Sequence, residues 1–248
     1  MDFGLKEGNM NKEILILRNT PSENPGIIED VLKENNLAYQ ILDFDHTSTF
    51  QQLEKYKALI VLGGPESAND QSPKMLGELA LIRQAVQSNV PYLGICLGLQ
   101  TFVKAMGGDV VKCHTKEVGF RDPKDQFFTV KLTAEGKNDK LFINLPDVLT
   151  VFQLHGETVQ ITPQMTLLAT GDYCHNQIVK FGSKAYGIQS HFELTNELLE
   201  SWIIEDSDLL KLNPDQIRSD FRSIESDYLK TGRQLFNNFL ILSGLLTP

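Results

Sequence analysis

Cysteine is scarce in this chain, basic charge is in deficit, and no long hydrophobic run occurs. Each shortage excludes something. Three cysteines, Cys96, Cys113 and Cys174, are too few and too scattered for a disulfide framework or a four-thiolate zinc site. No apolar stretch approaches the roughly 20 residues that a bilayer-spanning helix needs, so no membrane partner is expected. Residues 1–11 have no basic segment followed by an apolar one and do not read as a secretory signal, which makes cytoplasmic residence the default expectation. Asp and Glu number 32 against 23 Lys and Arg, for a formal net charge of −9. That balance argues against nucleic acid as a partner, because phosphate binding depends on an excess of Lys and Arg. Internal repeats and low-complexity segments are missing too.

What remains is an ordinary globular composition: 248 residues, 41% of them hydrophobic and 22% charged. The length suits one large α/β domain, or such a domain with a modest extension. Residues 1–12 read as a flexible tail, with Met10 a candidate for the true start. From Glu13, β-like and helix-like stretches alternate. Ile14-Leu15-Ile16-Leu17 is a continuous apolar run of the kind buried on both faces of a parallel sheet. A helix is expected over 25–36, strands over 39–42 and 58–62, and a helix over 73–88 with Met75, Leu79, Ile82 and Val86 on one face. A strand over 91–95 then runs into a helix over 97–106. This order predicts a doubly wound sheet with a parallel core. After Gly108, short strand-like runs at 110–111, 127–132, 148–154, 165–169, 177–181 and 185–188 suggest an added antiparallel or mixed β layer. From about residue 201 the chain is helical. Asn213-Pro214-Asp215-Gln216 supplies an N-cap, Pro at the first helical position and Gln three residues past the cap. Two apolar stripes follow, Ile217, Phe221, Ile224 and Tyr228, then Leu235, Phe236, Phe239 and Leu240. They fit packing on the main domain, with a partner-docking surface as the alternative. The expected division is a tail over 1–12, an α/β domain over 13–200 and a helical extension over 201–248.

Three segments could carry chemistry. Gly94-Ile95-Cys96-Leu97-Gly98 follows an apolar strand and leads into a helix pattern, the thiol version of the elbow that presents a hydrolase nucleophile. Gly94 and Gly98 leave room in a tight turn. Cys96 would stand at a helix N-terminus, where the dipole and free N–H groups favour thiolate, and the N–H of Leu97 could hold an oxyanion. A buried cysteine in a Gly-rich turn is the alternative. Gly63-Gly64-Pro65 ends another parallel strand, at the sheet edge where ligands bind. Its glycines let the backbone approach a substrate, although a plain turn explains the loop equally well. His191-Phe192-Glu193 also follows a strand. Residues two apart in an extended segment share a face, which suits an imidazole oriented by a carboxylate; a surface histidine beside an unrelated acid is the alternative.

The other candidates are weaker. His46, His114 and His175 lack metal-ligand spacing with their neighbours and read as surface or loop residues. Cys113 and Cys174 suggest nothing beyond packing. Asp43 and Asp45 are better explained by a strand-end turn than by acid catalysis. His155 either lines a pocket or ends a strand.

Taken together, the order of the three motifs, each after a β run, resembles that of class I glutamine amidotransferases over about residues 13–200. The likeness is greatest to the stand-alone branch similar to the amidotransferase domain of GMP synthase. Supporting matches are Gln100, Lys116-Glu117-Val118-Gly119-Phe120, His155-Gly156-Glu157 and Asn176-Gln177. The resemblance implies a flavodoxin-like α/β fold in which Cys96 attacks the γ-carboxamide of glutamine, His191 shuttles the proton and Glu193 orients His191. It implies an oxyanion hole from the N–H groups of Gly64 and Leu97, and substrate binding by Gly63, Pro65, Gln100 and His155. No metal or organic cofactor is expected. The family's usual His-Pro-Glu is His191-Phe192-Glu193 here, and Ser190 stands where an aromatic is frequent. Family members normally pass ammonia to a synthetase, yet the chain has no Ser-Gly-Gly-x-Asp-Ser loop and no Walker motif. Two readings follow: a separate synthetase partner, or a stand-alone γ-glutamyl peptidase or hydrolase. A non-catalytic interaction protein and a redox-sensing cysteine protein on a similar sheet are the outsiders.

Overall fold

The computed structural model describes residues 13–44 and 53–247. The expectations for residues 1–12, including Met10, and for Asp45 and His46 lie outside the described residues. In chain order the elements are β1 (Ile14–Arg18), α1 (Ile27–Glu34), β2 (Tyr39–Asp43), β3 (Ala58–Val61), α2 (Pro73–Gln87), β4 (Tyr92–Ile95), α3 (Leu97–Ala105), β5 (Asp109–Gly119), β6 (Thr129–Leu132), the one-turn α4 (Ala134–Lys137), β7 (Val148–Thr150), β8 (Gln153–Gln160), β9 (Met165–Gly171), β10 (Ile178–Phe181), β11 (Ala185–Ile188), α5 (Asn196–Glu205) and α6 (Pro214–Leu242).

Nine strands form one sheet in the order β2-β1-β3-β4-β11-β10-β9-β6-β7. The first five are mutually parallel, and the rest are antiparallel to their neighbours. Apolar runs buried on both faces form the parallel part because helices cover each side. Alternate residues of β1 show it: Ile14 and Ile16 join one core cluster, with residues of α1, α5 and α6, while Leu15 and Leu17 join another, with residues of α2 and α3. The architecture is a doubly wound mixed sheet with a parallel core, extra antiparallel strands and a C-terminal helix.

Details differ from the expectation. The run 185–188, grouped by sequence with the added layer, is β11 and lies beside β4 in the parallel core. Most of the added strands extend the same sheet edge to edge. Residues 148–154 are not one strand: β7 pairs with β6 in the large sheet, whereas β8 leaves it to pair with β5 as a two-stranded ribbon. Val110-Val111 is the start of the eleven-residue β5. Short apolar runs do not encode which strand they will join, so local pattern could not assign these partners.

The two C-terminal stripes belong to one 29-residue helix, α6. Asn213 caps it, its side chain accepting from the N–H groups of Asp215 and Gln216, with Pro214 in the first turn. Ile217, Phe221, Tyr228, Leu235, Phe236, Phe239 and Leu240 are buried in the same cluster as Ile14 and Ile16, so the chain itself covers both stripes. Among the described residues no helix is long and apolar enough to cross a membrane.

Candidate active site

Strands β3, β4 and β11 are neighbours, and the three motifs sit at their carboxyl ends. Adjacent parallel strands therefore deliver Gly63-Gly64, Cys96 and His191 to one edge of the sheet.

The turn after β4 is sharp. Cys96 has φ 52° and ψ −105° and immediately precedes α3. Holding a non-glycine residue there costs on the order of 1–3 kcal/mol, so the surroundings must over-determine it. They do. The Cys96 N–H donates to the Ile188 carbonyl at 2.7 Å, and Tyr92 Oη donates to the Gly98 carbonyl at 2.7 Å. A Cβ on Gly94 would lie 2.2 Å from Gly98 O, and one on Gly98 would lie 2.2 Å from Val61 O. Both glycines are required by backbone approach. Gly64 is equally confined, since a Cβ there would meet Leu97, Asn19 and Glu66 at 2.8–2.9 Å.

His191 and Glu193 meet as their spacing suggests. His191 Nδ1 is 2.5 Å from Glu193 Oε1, with both side chains nearly inaccessible. The other oxygen of Glu193 accepts the Phe192 N–H at 2.9 Å, so the carboxylate is fixed before it fixes the imidazole. The Glu193 carbonyl accepts the Ile27 N–H at the start of α1. Gly26, at φ 52°, makes that approach feasible: a Cβ there would sit 1.9 Å from Glu193 O. Trp202 packs its ring edge-on to His191, centroids 4.8 Å apart. Burial opposes charging of His191, but the Glu193 carboxylate and the Cys96 sulfur outweigh it and raise the imidazole well above its ordinary pKa. Nε2 is buried without a conventional hydrogen bond. The Cys96 sulfur is also approached by Gln189 Nε2 at 3.8 Å and lies 3.7 Å from the Leu154 carbonyl.

These groups open on a cavity of about 560 Å³, lined among others by Gly64, Pro65, Cys96, Gln100, His155 and His191. That volume falls in the range of small-molecule sites. Gly63 faces Glu23 instead, its hypothetical Cβ 2.9 Å from Glu23 Oε2. Gln100 is buried and donates through Nε2 to the Glu157 carbonyl at 3.1 Å. Acidic side chains crowd the mouth: Glu23, Glu66, Glu157, Glu205, Asp206 and Asp208 all line it. Among the described lining residues Lys116 is the one Lys or Arg, and it is ion-paired with Asp208.

Two contributors escaped sequence reasoning. Glu23 lies in the loop after β1, at the same sheet edge, and its carboxyl is raised to about 7, chiefly by burial, with His191 opposing and Glu193 adding to the shift. Its position after the first parallel strand was the available signal. Gln189 is buried beside Cys96 and also accepts from Gln100 Nε2 at 3.4 Å; nothing local marked it.

His155 lines the cavity from β8, and its ring also belongs to a second group. Nε2 lies 2.8 Å from Glu117 Oε2, and Nδ1 is 3.5 Å from Cys113 Sγ. The Cys113 thiol, hydrogen-bonded to the Cys174 sulfur and partly buried, is pushed up, whereas Cys174 is lowered to about 7. The two cysteines that looked scattered in sequence are therefore neighbours. His114 and His175 are exposed, and Asp43 is paired with Arg18 at 2.6 Å, away from the cavity.

Known proteins share this arrangement of chain. The pattern of the glutamine amidotransferase class-I family matches residues 23–208. A glutamine amidotransferase-like protein of Salmonella typhimurium, YfeJ, is 34% identical over 155 residues, 60% of this chain and 62% of that protein. A glutamine-hydrolyzing GMP synthase component of Methanococcus maripaludis, one of that enzyme's separate subunits, is 30% identical over 142 residues, 56% of this chain and 66% of that one. The chain thus matches less than two thirds of the length of either relative. A glutamine amidotransferase of Thermotoga maritima superposes with a TM-score of 0.83 at 28% identity, covering 93% of this chain and 98% of that one. With the family pattern spanning three strand-end motifs and most of the sheet, this chain belongs to the class-I glutamine amidotransferase family.

Proposed function

We propose that the protein hydrolyses the γ-carboxamide of glutamine through a thioester on Cys96, giving glutamate and ammonia. The observation that carries this is the convergence, at the ends of three adjacent strands, of a strained Cys96 and a buried His191–Glu193 pair on one cavity. In the first step the Cys96 sulfur adds to the γ-carbonyl, and the oxygen takes up negative charge facing the N–H groups of Gly64 and Leu97. The C–N bond then breaks as His191 gives its proton to the leaving nitrogen. Water, deprotonated by His191, attacks the thioester, the C–S bond breaks, and glutamate leaves with the thiol restored. Glu193 holds the ring so that Nε2 faces the sulfur and stabilises the imidazolium. Gln100, Pro65 and His155 form the wall that receives the rest of the substrate.

Ammonia release from glutamine, compared between wild type and Cys96→Ala, tests the proposal. A loss of a thousandfold or more is expected, together with covalent labelling of Cys96 by a glutamine-like electrophile. Full activity in Cys96→Ala would rule it out.

A second reading is favoured by the cavity itself. About 560 Å³ with an acidic mouth leaves room beyond a carboxamide for an amine-bearing leaving group. On that reading the same thioester forms from γ-glutamyl conjugates, and their kcat/KM exceeds that of glutamine. If the protein instead serves a separate synthetase, in keeping with its likeness to the Methanococcus component, the glutamine rate rises on adding that partner.

A further inference from the structure

The geometry points to a metal site beside the active site: Cys113, His155 and Cys174 form a binding site for a soft divalent ion of the zinc type, with Glu117 holding the histidine ring. The three ligand atoms lie within 4.8 Å of one another. Cys113 Sγ and His155 Nδ1 are 3.5 Å apart. Zinc bound tetrahedrally, at about 2.3 Å from sulfur and about 2.0 Å from imidazole nitrogen, needs those two atoms about 3.5 Å from each other. The cage is therefore close to its loaded dimensions.

Behind the histidine stands the carboxylate that such ligands use. Glu117 Oε2 is 2.8 Å from His155 Nε2, and both side chains are about 1% exposed. Glu117 is itself anchored, accepting from Gln177 Nε2 at 3.0 Å and from the Cys174 N–H at 3.3 Å. A carboxylate behind the imidazole keeps the proton on the far nitrogen and frees the near one for the ion. In the unloaded ring, Nδ1 is 3.0 Å from the Glu157 carbonyl, so loading moves the proton to Nε2, where Glu117 accepts it. That carbonyl, or a water, takes the fourth position.

The backbone is bent to make this group. Lys112 stands opposite Glu157, and Glu117 opposite His155, so Cys113, His114, Thr115 and Lys116 face Gly156 alone. A bulge of this kind re-aims side chains and is common next to functional sites. Here it brings Cys113 to His155, while the loop between β9 and β10 brings Cys174. None of the three takes part in the proposed acyl chemistry, so the inference stands apart from it. Their link to the cavity is structural: His155 lines it, and the Glu157 carbonyl holds Gln100. Loading would stiffen that wall.

Cobalt(II) is the probe. Titrated into the reduced full chain, it is expected to bind one ion per chain with thiolate-to-cobalt charge transfer and the strong visible bands of tetrahedral coordination, and zinc should bleach both. Cys96→Ala should behave like wild type. Cys113→Ser should lose the charge-transfer band, and Glu117→Gln should weaken binding about 10- to 100-fold. Wild-type protein offers a test free of folding artefacts: zinc should protect Cys113 and Cys174, but not Cys96, from alkylation mapped by mass spectrometry. No charge transfer in wild type, unchanged binding in Cys113→Ser, loss of binding in Cys96→Ala, or protection confined to Cys96 would each overturn the site.

Discussion

Tyr228, in the middle of α6, donates its hydroxyl proton to the main-chain carbonyl of His191 at 2.7 Å. A helix far along the chain thus holds the backbone of the proposed catalytic imidazole from behind. The approach is close: a Cβ on Gly232, one turn further on, would lie 2.3 Å from the Phe192 carbonyl. Tyr228→Phe leaves the buried His191 carbonyl without this donor. It should lower stability by about 1–3 kcal/mol and, through misplacement of the ring, lower kcat/KM by about ten- to a hundredfold. Thermal unfolding and steady-state kinetics measure the two effects. Unchanged kinetics with reduced stability would show that α6 is only a brace.

Burial opposes the charge on His191, and Glu193 is the main group that overcomes it. An imidazole whose folded pKa lies well above the ordinary value stays protonated through neutral pH, and the stability it contributes is lost only as pH rises through that folded pKa. Glu193→Gln removes the carboxylate. The alkaline limb of the kcat/KM profile should move to lower pH, and the plateau should fall by about 10²- to 10⁴-fold, as expected when the ring loses its orienting partner. A reduced plateau with an unmoved limb would mean that Glu193 does not set the charge on His191.

Glu78, on the inner face of α2, is fully buried, and neither carboxyl oxygen finds a hydrogen-bond partner. Burial raises its pKa to about 7, with Thr101 and Lys74 opposing. The folded protein therefore binds the proton more tightly than the unfolded chain, and stability falls as pH rises from about 4.5 through about 7. The ceiling on this loss is about 3 kcal/mol. Glu78→Gln should match wild type near pH 4 and exceed it in denaturant unfolding at pH 8. Equal stability at pH 8 would refute the assignment.

Glu23 is neutral below about pH 7 and anionic above it. It faces the cavity from beside Gly63 and His191, where an anion would attract the ammonium group of an amino-acid substrate. KM for glutamine should fall as pH rises through about 7 in wild type, and this dependence should vanish in Glu23→Gln. The same KM profile in both proteins would place the ammonium elsewhere.

Gly64→Ala puts a methyl group against Asn19, Glu66 and Leu97 at distances no Cβ tolerates. The loop must shift, carrying its N–H away from the developing oxyanion. A loss of about 10²- to 10³-fold in kcat with little change in KM is the expected signature. A rise in KM alone would assign Gly64 to binding.

Much of this was legible in the sequence because it rests on local chemistry. The turn at Cys96 needs glycines within two residues on either side, and they are there in the chain. His191 and Glu193 meet because an extended backbone puts alternate residues on one face. Asn213 and Pro214 announce the start of α6 for the same kind of reason. The placement of β11 was not legible: Ala185-Tyr186-Gly187-Ile188 has no feature that distinguishes a parallel partner for β4 from another antiparallel strand. Nor was the parting of β7 from β8, which turns on two residues between them.

By itself the sequence determined the alternation of strands and helices, the strained elbow and the histidine–carboxylate pair, since each is settled by neighbours a few residues apart. Only the tertiary structure decided that Glu23 and Gln189 belong with Cys96, that Tyr228 supports His191, and that Cys113, His155 and Cys174 gather around one point. Those groups are separated by tens of residues or more, and their meeting depends on strand order and on a bulge in β5. Both are set by the packing of the whole sheet, which no local pattern contains.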